Sequence, residues 1–169
     1  TYKNADWGVY NAISNGGNQA GLWRTLTKDE WEYLFNIRSA STVNGSANAR
    51  YAKAAVANKN GIILFPNNFT VPSGVTSPVN INSSGSNFTG NIYTATQWSL
   101  LENAGCVFLP AAGRRNWGFV DFAGSHGFYW STSHDFDRFA YDFSFYSSSV
   151  DISSDYREDG YSVRLVQDY

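Results

Sequence analysis

Few residues in this chain are equipped for covalent or metal chemistry. Cys106 is the only cysteine, so no internal disulfide forms, and it lies in the apolar run Cys106-Val107-Phe108-Leu109. A thiol in such a run reads as a buried, inert group. His126, His134 and one cysteine do not make up the ligand set of a zinc centre. Both histidines read as surface residues without a ligand role. Asp135 and Asp137 form a carboxylate pair in sequence, but no fixed general acid accompanies them, and a solvated loop is their plainer role. No catalytic residue, metal or cofactor is expected, and the chain reads as a non-enzyme.

The bulk numbers bound the class. A chain of 169 residues fits one domain with a sizeable core, and 17% aromatic against 15% charged residues is an unusual balance. The formal charge is −2 with no basic run, so no nucleic-acid partner is expected. No stretch approaches the ~20 apolar residues needed to cross a bilayer, so no membrane insertion by this segment is expected. No signal peptide opens the chain at Thr1, and any leader or anchor would lie outside it.

Two helices must position whatever the chain displays. Thr27-Lys28-Asp29-Glu30 is a capping box, followed by Trp31, Leu34, Phe35 and Arg38 on one helical stripe, with Arg38 lying along its own stem. A second box, Thr94 with Gln97, opens a helix whose stripe is Trp98 and Leu101 and whose left-handed stop is Gly105. Segments 50–56 and 61–65 flank Asn58-Lys59-Asn60 as a hairpin, and 71–88 reads as a surface loop. Further strands are expected at 106–109, 128–131, 141–146 and 162–166. Two helices, short mainly antiparallel strands and long loops give an α+β class, read as one domain over 1–169.

The segment Gly21-Leu22-Trp23-Arg24-Thr25-Leu26-Thr27-Lys28-Asp29-Glu30-Trp31-Glu32 resembles a signature of the formylglycine-generating-enzyme superfamily. The same signature occurs in the related major paralogous domains of Bacteroidetes and Fibrobacter. Asp6-Trp7-Gly8, Phe108-Leu109-Pro110-Ala111-Ala112-Gly113 and Gly160-Tyr161-Ser162-Val163-Arg164-Leu165-Val166 fit that second group. The resemblance implies a C-type-lectin-like fold, with a strand near the N-terminus beside 162–166. It does not imply the enzymes' chemistry, which needs a cysteine pair where this chain has Cys106 alone. No Glu-Pro-Asn or Trp-Asn-Asp string is present either, so the calcium-dependent sugar site of true lectins is not supported.

Asparagine stops at Asn116. All 17 asparagines lie in the first 116 residues, and the last 53 contain none. From Thr132 to Tyr156 every residue type is reachable from AAC or AAT by replacing adenines alone, and Lys, Glu, Gln, Met and Trp are absent. Glu158 departs from this pattern. The footprint resembles that of diversity-generating retroelements, which randomise template adenines while copying them into a C-terminal variable region, here about 116–159. The variable proteins of these systems share the C-type-lectin-like fold.

The resemblance implies a ligand-binding, receptor- or adhesin-like role on a cell surface, outside the cell or on a phage tail, with a protein or glycan as ligand. Its surface would be Phe119, Asp121, Phe122, His126, Phe128, His134, Asp135, Phe136, Asp137, Asp142, Ser144, Tyr146, Asp155 and Tyr156. Strand alternation assigns Asp142, Ser144 and Tyr146 to the solvent face and Tyr141, Phe143 and Phe145 to the core, with Tyr129 and Trp130 also in the core. Two other readings stand beside this one. One is a sugar-binding or residually active relative of the formylglycine-generating enzymes, and the other is an invariant structural surface domain. With two histidines, one cysteine and no recognisable calcium loop, folding should need no metal, so a chelator should leave the melting temperature unchanged. A sharp fall on adding the chelator contradicts that expectation.

Overall fold

The computed structural model describes residues 6–168. Its first element, α1 (Trp7–Tyr10), is a single turn tied down by one carboxylate. Asp6 accepts from the Gly8 amide at 3.1 Å, the Thr25 amide at 2.8 Å and the Thr25 hydroxyl at 3.1 Å. That joins the turn to β1 (Arg24–Thr25). Helix α2 (Lys28–Glu32) then starts at the expected capping box, with the Thr27 hydroxyl accepting from the Glu30 amide and Glu30 from the Thr27 amide. The Glu30 carboxylate also takes both terminal nitrogens of Arg24, at 2.6 and 2.8 Å, and Arg24 reaches on to Asp168 at 2.6 Å. Arg24 holds the Glu30 carboxyl well below the usual range, at about 2.

The second half of this helix departs from the sequence reading. Residues Tyr33–Ile37 form a π-helical turn, closed by a bond from the Arg38 amide to the Tyr33 carbonyl at 3.0 Å. Arg38 does not lie along its stem at the surface. It is buried, and its guanidinium donates to the carbonyls of Leu34, Arg50 and Phe65 and to the Asn67 side chain. A buried charge needs such a full set of acceptors, and neighbouring segments supply them.

The next strands, β2 (Tyr51–Val56) and β3 (Lys59–Leu64), form the expected hairpin with a tighter turn than expected. Val56 pairs with Lys59, so the loop is Ala57-Asn58, both left-handed, and Lys59 and Asn60 belong to the strand. The long loop over 71–88 carries no strand and is pinned by side chains. Asn82 accepts from the Arg50 amide, Asn91 bonds both ways with Val79, and the buried Lys53 ammonium donates to the Ser84 carbonyl. A 3₁₀ turn (Phe88–Gly90) and β4 (Ile92–Tyr93) lead to α3 (Ala95–Asn103), which has its Thr94 capping box. Gly105 follows at φ +88 and lets the chain turn into β5 (Val107–Pro110). Cys106 is buried as expected, and burial pushes its thiol up to about 12.

After β5 come the hairpin β6 (Arg114–Asn116) and β7 (Phe119–Asp121), then β8 (Gly127–His134), β9 (Phe139–Tyr146), β10 (Ser149–Tyr156) and β11 (Leu165–Val166). Four small sheets result. One has the order β4-β2-β3-β5, one is the antiparallel β10-β9-β8, and two are pairs, β6-β7 and β1-β11. The class is α+β, as expected. The C-terminal strand is shorter than 162–166. Only Leu165 and Val166 pair with Thr25 and Arg24, while Ser162 makes a parallel bridge to Tyr129.

The four-stranded sheet has a core on each face. Ala52, Ala54, Val56 and Ile63 face α3 residue Leu101 and Cys106, while Tyr51, Ile62 and Leu64 face Trp31, Phe35, Phe143 and Phe145. In that second core Trp31 stacks on Phe143 with centroids 4.9 Å apart, and Phe35 lies 3.9 Å from the same ring. Trp31 has no exposed surface. Trp31→Ala is therefore expected to lower unfolding free energy by about 3–5 kcal/mol. Denaturant titration checks this, and a midpoint equal to the parent's contradicts it.

Candidate functional site: the outer face of the three-stranded sheet

Sheet β10-β9-β8 has two faces that differ in kind. Registers Tyr129↔Phe143↔Ile152 and Gly127↔Phe145↔Val150 build the packed face. Gly127 is required there, because a Cβ would meet the Phe145 ring at 2.3 Å. The opposite face reads, row by row, Phe128-Ser144-Asp151 and Trp130-Asp142-Ser153, with Tyr146 beyond the first row and Asp155 beyond the second. Strand β8 thus contributes aromatic rings, β10 contributes carboxylates and hydroxyls, and β9 lies between with small or polar groups.

The rings form a connected layer. His126 stacks on Tyr146 at 4.8 Å and lies 5.8 Å from Phe128 in a nearly parallel plane, while Phe122 approaches His126 at 4.5 Å. Phe128 continues to Tyr161 at 4.9 Å, and Tyr161 stacks on Trp130 at 4.3 Å. Arg114 lies over the rings of Phe122 and Phe128, 5.6 and 5.7 Å from their centroids. It also pairs with Asp159 at 3.1 Å and Asp155 at 3.6 Å. The Tyr161 hydroxyl donates to Asp155 at 2.6 Å. Burial, then the Arg114 charge, lowers the His126 pKa, which favours the neutral ring.

This arrangement corrects the expectation for Asp142. It lies on the outer face, as strand alternation requires, but it is not solvent-facing: only 2% of it is exposed. Its cross-strand neighbour Trp130, expected in the core, stands on the outer face under Tyr161, and that packing closes this end of the sheet. The Ser153 hydroxyl donates to the Asp142 carboxylate at 3.3 Å. Ser144 is half-buried and Tyr146 is exposed, so the open part of the face begins one row further on. Tyr141 points to the packed side as expected, yet lies beyond the core. Its ring sits 4.4 Å from the Lys28 ammonium, and its hydroxyl donates to Asp135.

The fourteen candidate residues do not share one surface. Phe122, His126, Phe128, Asp142, Ser144, Tyr146 and Asp155 belong to the outer face. Phe136 and Tyr156 gather with Phe139 at the β8–β9 end, on the side that continues the packed face, near Asp135 and beside the exposed His134 and Asp137. Arg138 lies over Tyr156 at 5.7 Å. Phe119 and Asp121 sit on the β6-β7 hairpin, whose tip exposes Trp117 at 93% and Phe119 at 74%. The sequence reading missed Arg114, Trp130, Asp151, Ser153, Asp159 and Tyr161 as members of this site. The i, i+2, i+4 spacing of Asp151, Ser153 and Asp155, alternating with Val150 and Ile152, was the local signal for β10. Among the described residues no group of His, Cys, Asp and Glu is arranged to hold a metal, and no helix is long and apolar enough to cross a membrane.

One family matches part of the chain. It is described as Domain of unknown function (DUF8237), and it covers residues 101–166, which include the whole three-stranded sheet and the β6-β7 hairpin. No curated protein and no solved structure matches.

The buried carboxylate has a measurable signature. Burial first, and then the charge of Asp155, pushes Asp142 from 3.8 up to about 7. The folded state thus holds this proton more tightly than the unfolded chain does. The group's stabilisation is full below pH 3.8 and is lost as pH rises through about 7. Between pH 5 and pH 8 the parent should therefore lose more stability than Asp142→Asn does, by a melting-temperature difference of about 5 °C. Parallel pH profiles for the two proteins show that the carboxyl titrates normally.

Proposed function

We propose that this chain is a C-type-lectin-like variable protein of a diversity-generating retroelement, displayed on a cell surface, outside the cell or on a phage tail. It recognises a protein or glycan through residues 116–159 and catalyses no reaction. In support of the fold, the β1-β11 pair joins segments near the two ends of the chain and Arg24 links Glu30 to Asp168. Within the resembling segment, Arg24 and Glu30 form the ion pair that reaches Asp168, and Trp31 lies in the core. In support of a non-catalytic role, Cys106 is buried with its thiol raised, the opposite of an activated nucleophile.

The observation that carries the reading is a break in how the backbone is matched to its residues. Before residue 116, the left-handed positions outside glycine are Asn18, Asn44, Asn48, Asn58, Asn80 and Asn82, with Ala57 the exception. Asparagine tolerates that conformation because its short amide bonds locally. Within 116–159 the left-handed positions outside glycine are Trp117, Phe122 and Asp137. Two bulky aromatics where asparagine would cost less are what a sequence chosen for its exposed side chains, not for its backbone, would show. The packed positions Gly127, Tyr129, Phe143 and Phe145 keep a dense core beneath that surface.

Sequencing the DNA around the coding region tests this. A second, imperfect copy of the codons for 116–159, differing at template adenines and lying near a reverse-transcriptase gene, is the expected result. A locus with no such copy, or a copy whose differences ignore adenine, sinks the proposal.

A further inference from the structure

We infer that the open part of the outer face, around Phe128, Ser144, Tyr146 and Asp151, binds an arginine-bearing segment of a protein partner. The inference names the ligand class for the surface proposed above and rests on that surface being a recognition site.

Charge is the first argument. Residues 116–159 hold eight acidic and two basic residues, a formal −6, while the whole chain is −2, so the remainder carries +4. The acidity is not spread evenly over the aromatic surface. At the β8–β9 end, Asp135 and Asp137 are offset by Lys28 and Arg138, both lying against tyrosine rings. On the outer face, Arg114 pairs with Asp155 and Asp159, and the exposed Asp151 and the buried Asp142 add two further carboxylates. A cationic partner is therefore drawn to the outer face and not to the other ring cluster.

Geometry is the second argument. The row Phe128-Ser144-Asp151 sets a ring on one strand and an exposed carboxylate two strands away, with a small hydroxyl residue between them. A guanidinium lying on the exposed Tyr146 ring of the same face can turn its fork towards that carboxylate, which an ammonium does less well. The protein already contains this arrangement once: Arg114 stacks over Phe122 and Phe128 while pairing with Asp155 and Asp159. The exposed Tyr146 ring and the exposed Asp151 carboxylate offer a second ring and a second carboxylate on the same face. One Asp151 oxygen accepts from the Ile152 amide at 2.9 Å, which fixes the carboxylate's direction.

The test is an amide-resolved NMR titration of the ¹⁵N-labelled chain with four probes: hexa-arginine, hexa-lysine, hexa-glutamate and maltohexaose. Hexa-arginine should shift the amides of His126, Phe128, Ser144, Tyr146 and Asp151 saturably, and bind several-fold tighter than hexa-lysine. Asp151→Asn, which keeps the acceptor for Ile152, and Tyr146→Ala should each weaken it about three- to ten-fold. Their melting temperatures should stay near the parent's, and Phe136→Ala should leave binding unchanged. Shifts that spread without saturating, or that centre on Phe136 and Tyr156, overturn the inference. So does saturation of this face by maltohexaose or hexa-glutamate with no response to hexa-arginine. The locus experiment reports separately: arginine binding without a template copy removes only the retroelement reading, and a template copy without arginine selectivity removes only this one.

Discussion

The packing of Trp31 and Phe35 over Phe143 is the constraint on which the remaining structure depends. Those rings join α2 to the middle strand of the three-stranded sheet, and Tyr51, Ile62 and Leu64 close the same core from the four-stranded sheet. Burial of large aromatics at this density contributes more than any single polar contact in the chain. The polar groups set its geometry. Glu30 caps its own helix and holds Arg24, Arg24 holds Asp168, and the Lys28 amide donates to Ser133 on β8. The helix is thereby held at both the chain-end pair and the sheet whose far side is displayed. With one face of that sheet committed to Trp31, the surface left to it is the other face, the strand ends and the β6-β7 hairpin.

How much of this was legible in the sequence follows from the range of each interaction. Both capping boxes, the Gly105 stop and the Phe143/Phe145 alternation are local, and the structure has them where the residues indicated. The α2 stripe was half legible: Trp31 and Phe35 are core, but the π-turn and the burial of Arg38 depend on the carbonyls of Arg50 and Phe65, which only the fold brings near. Strand β10 was missed because its serines and aspartates lack the apolar run that marks a strand, although Val150 and Ile152 do alternate towards the core. It is also an edge strand, and its Ile152 and Tyr156 amides donate to the preceding aspartates, Asp151 and Asp155. Side chains that cap their own edge discourage strand addition, and they disguise the strand as a polar loop.

Asp142 shows where alternation stops being sufficient. Period two fixes which face a side chain takes, and it was right for Asp142, Ser144 and Tyr146 alike. It does not fix what lies above that face. Tyr161, arriving from beyond β10, stacks on Trp130 and bonds Asp155, so the same face is closed at Asp142 and open at Tyr146. The segment that closes it, Gly160-Tyr161-Ser162, is held by bridges from Gly160 to Arg115 and from Ser162 to Tyr129.

That partial closure sorts the outer face into two environments. Under Tyr161, the Arg114, Asp155 and Asp159 set is internally paired, and burying it fixes the orientation of the sheet end at an electrostatic cost that Asp142 registers in its raised pKa. Beyond Tyr161, Ser144, Tyr146 and Asp151 make fewer demands on their neighbours, and changes there leave the Trp31 core untouched. A surface built this way can vary its exposed residues while the paired end holds the strands in register. The closed and open parts of the face are thus adjacent rows, separated by two residues along each strand.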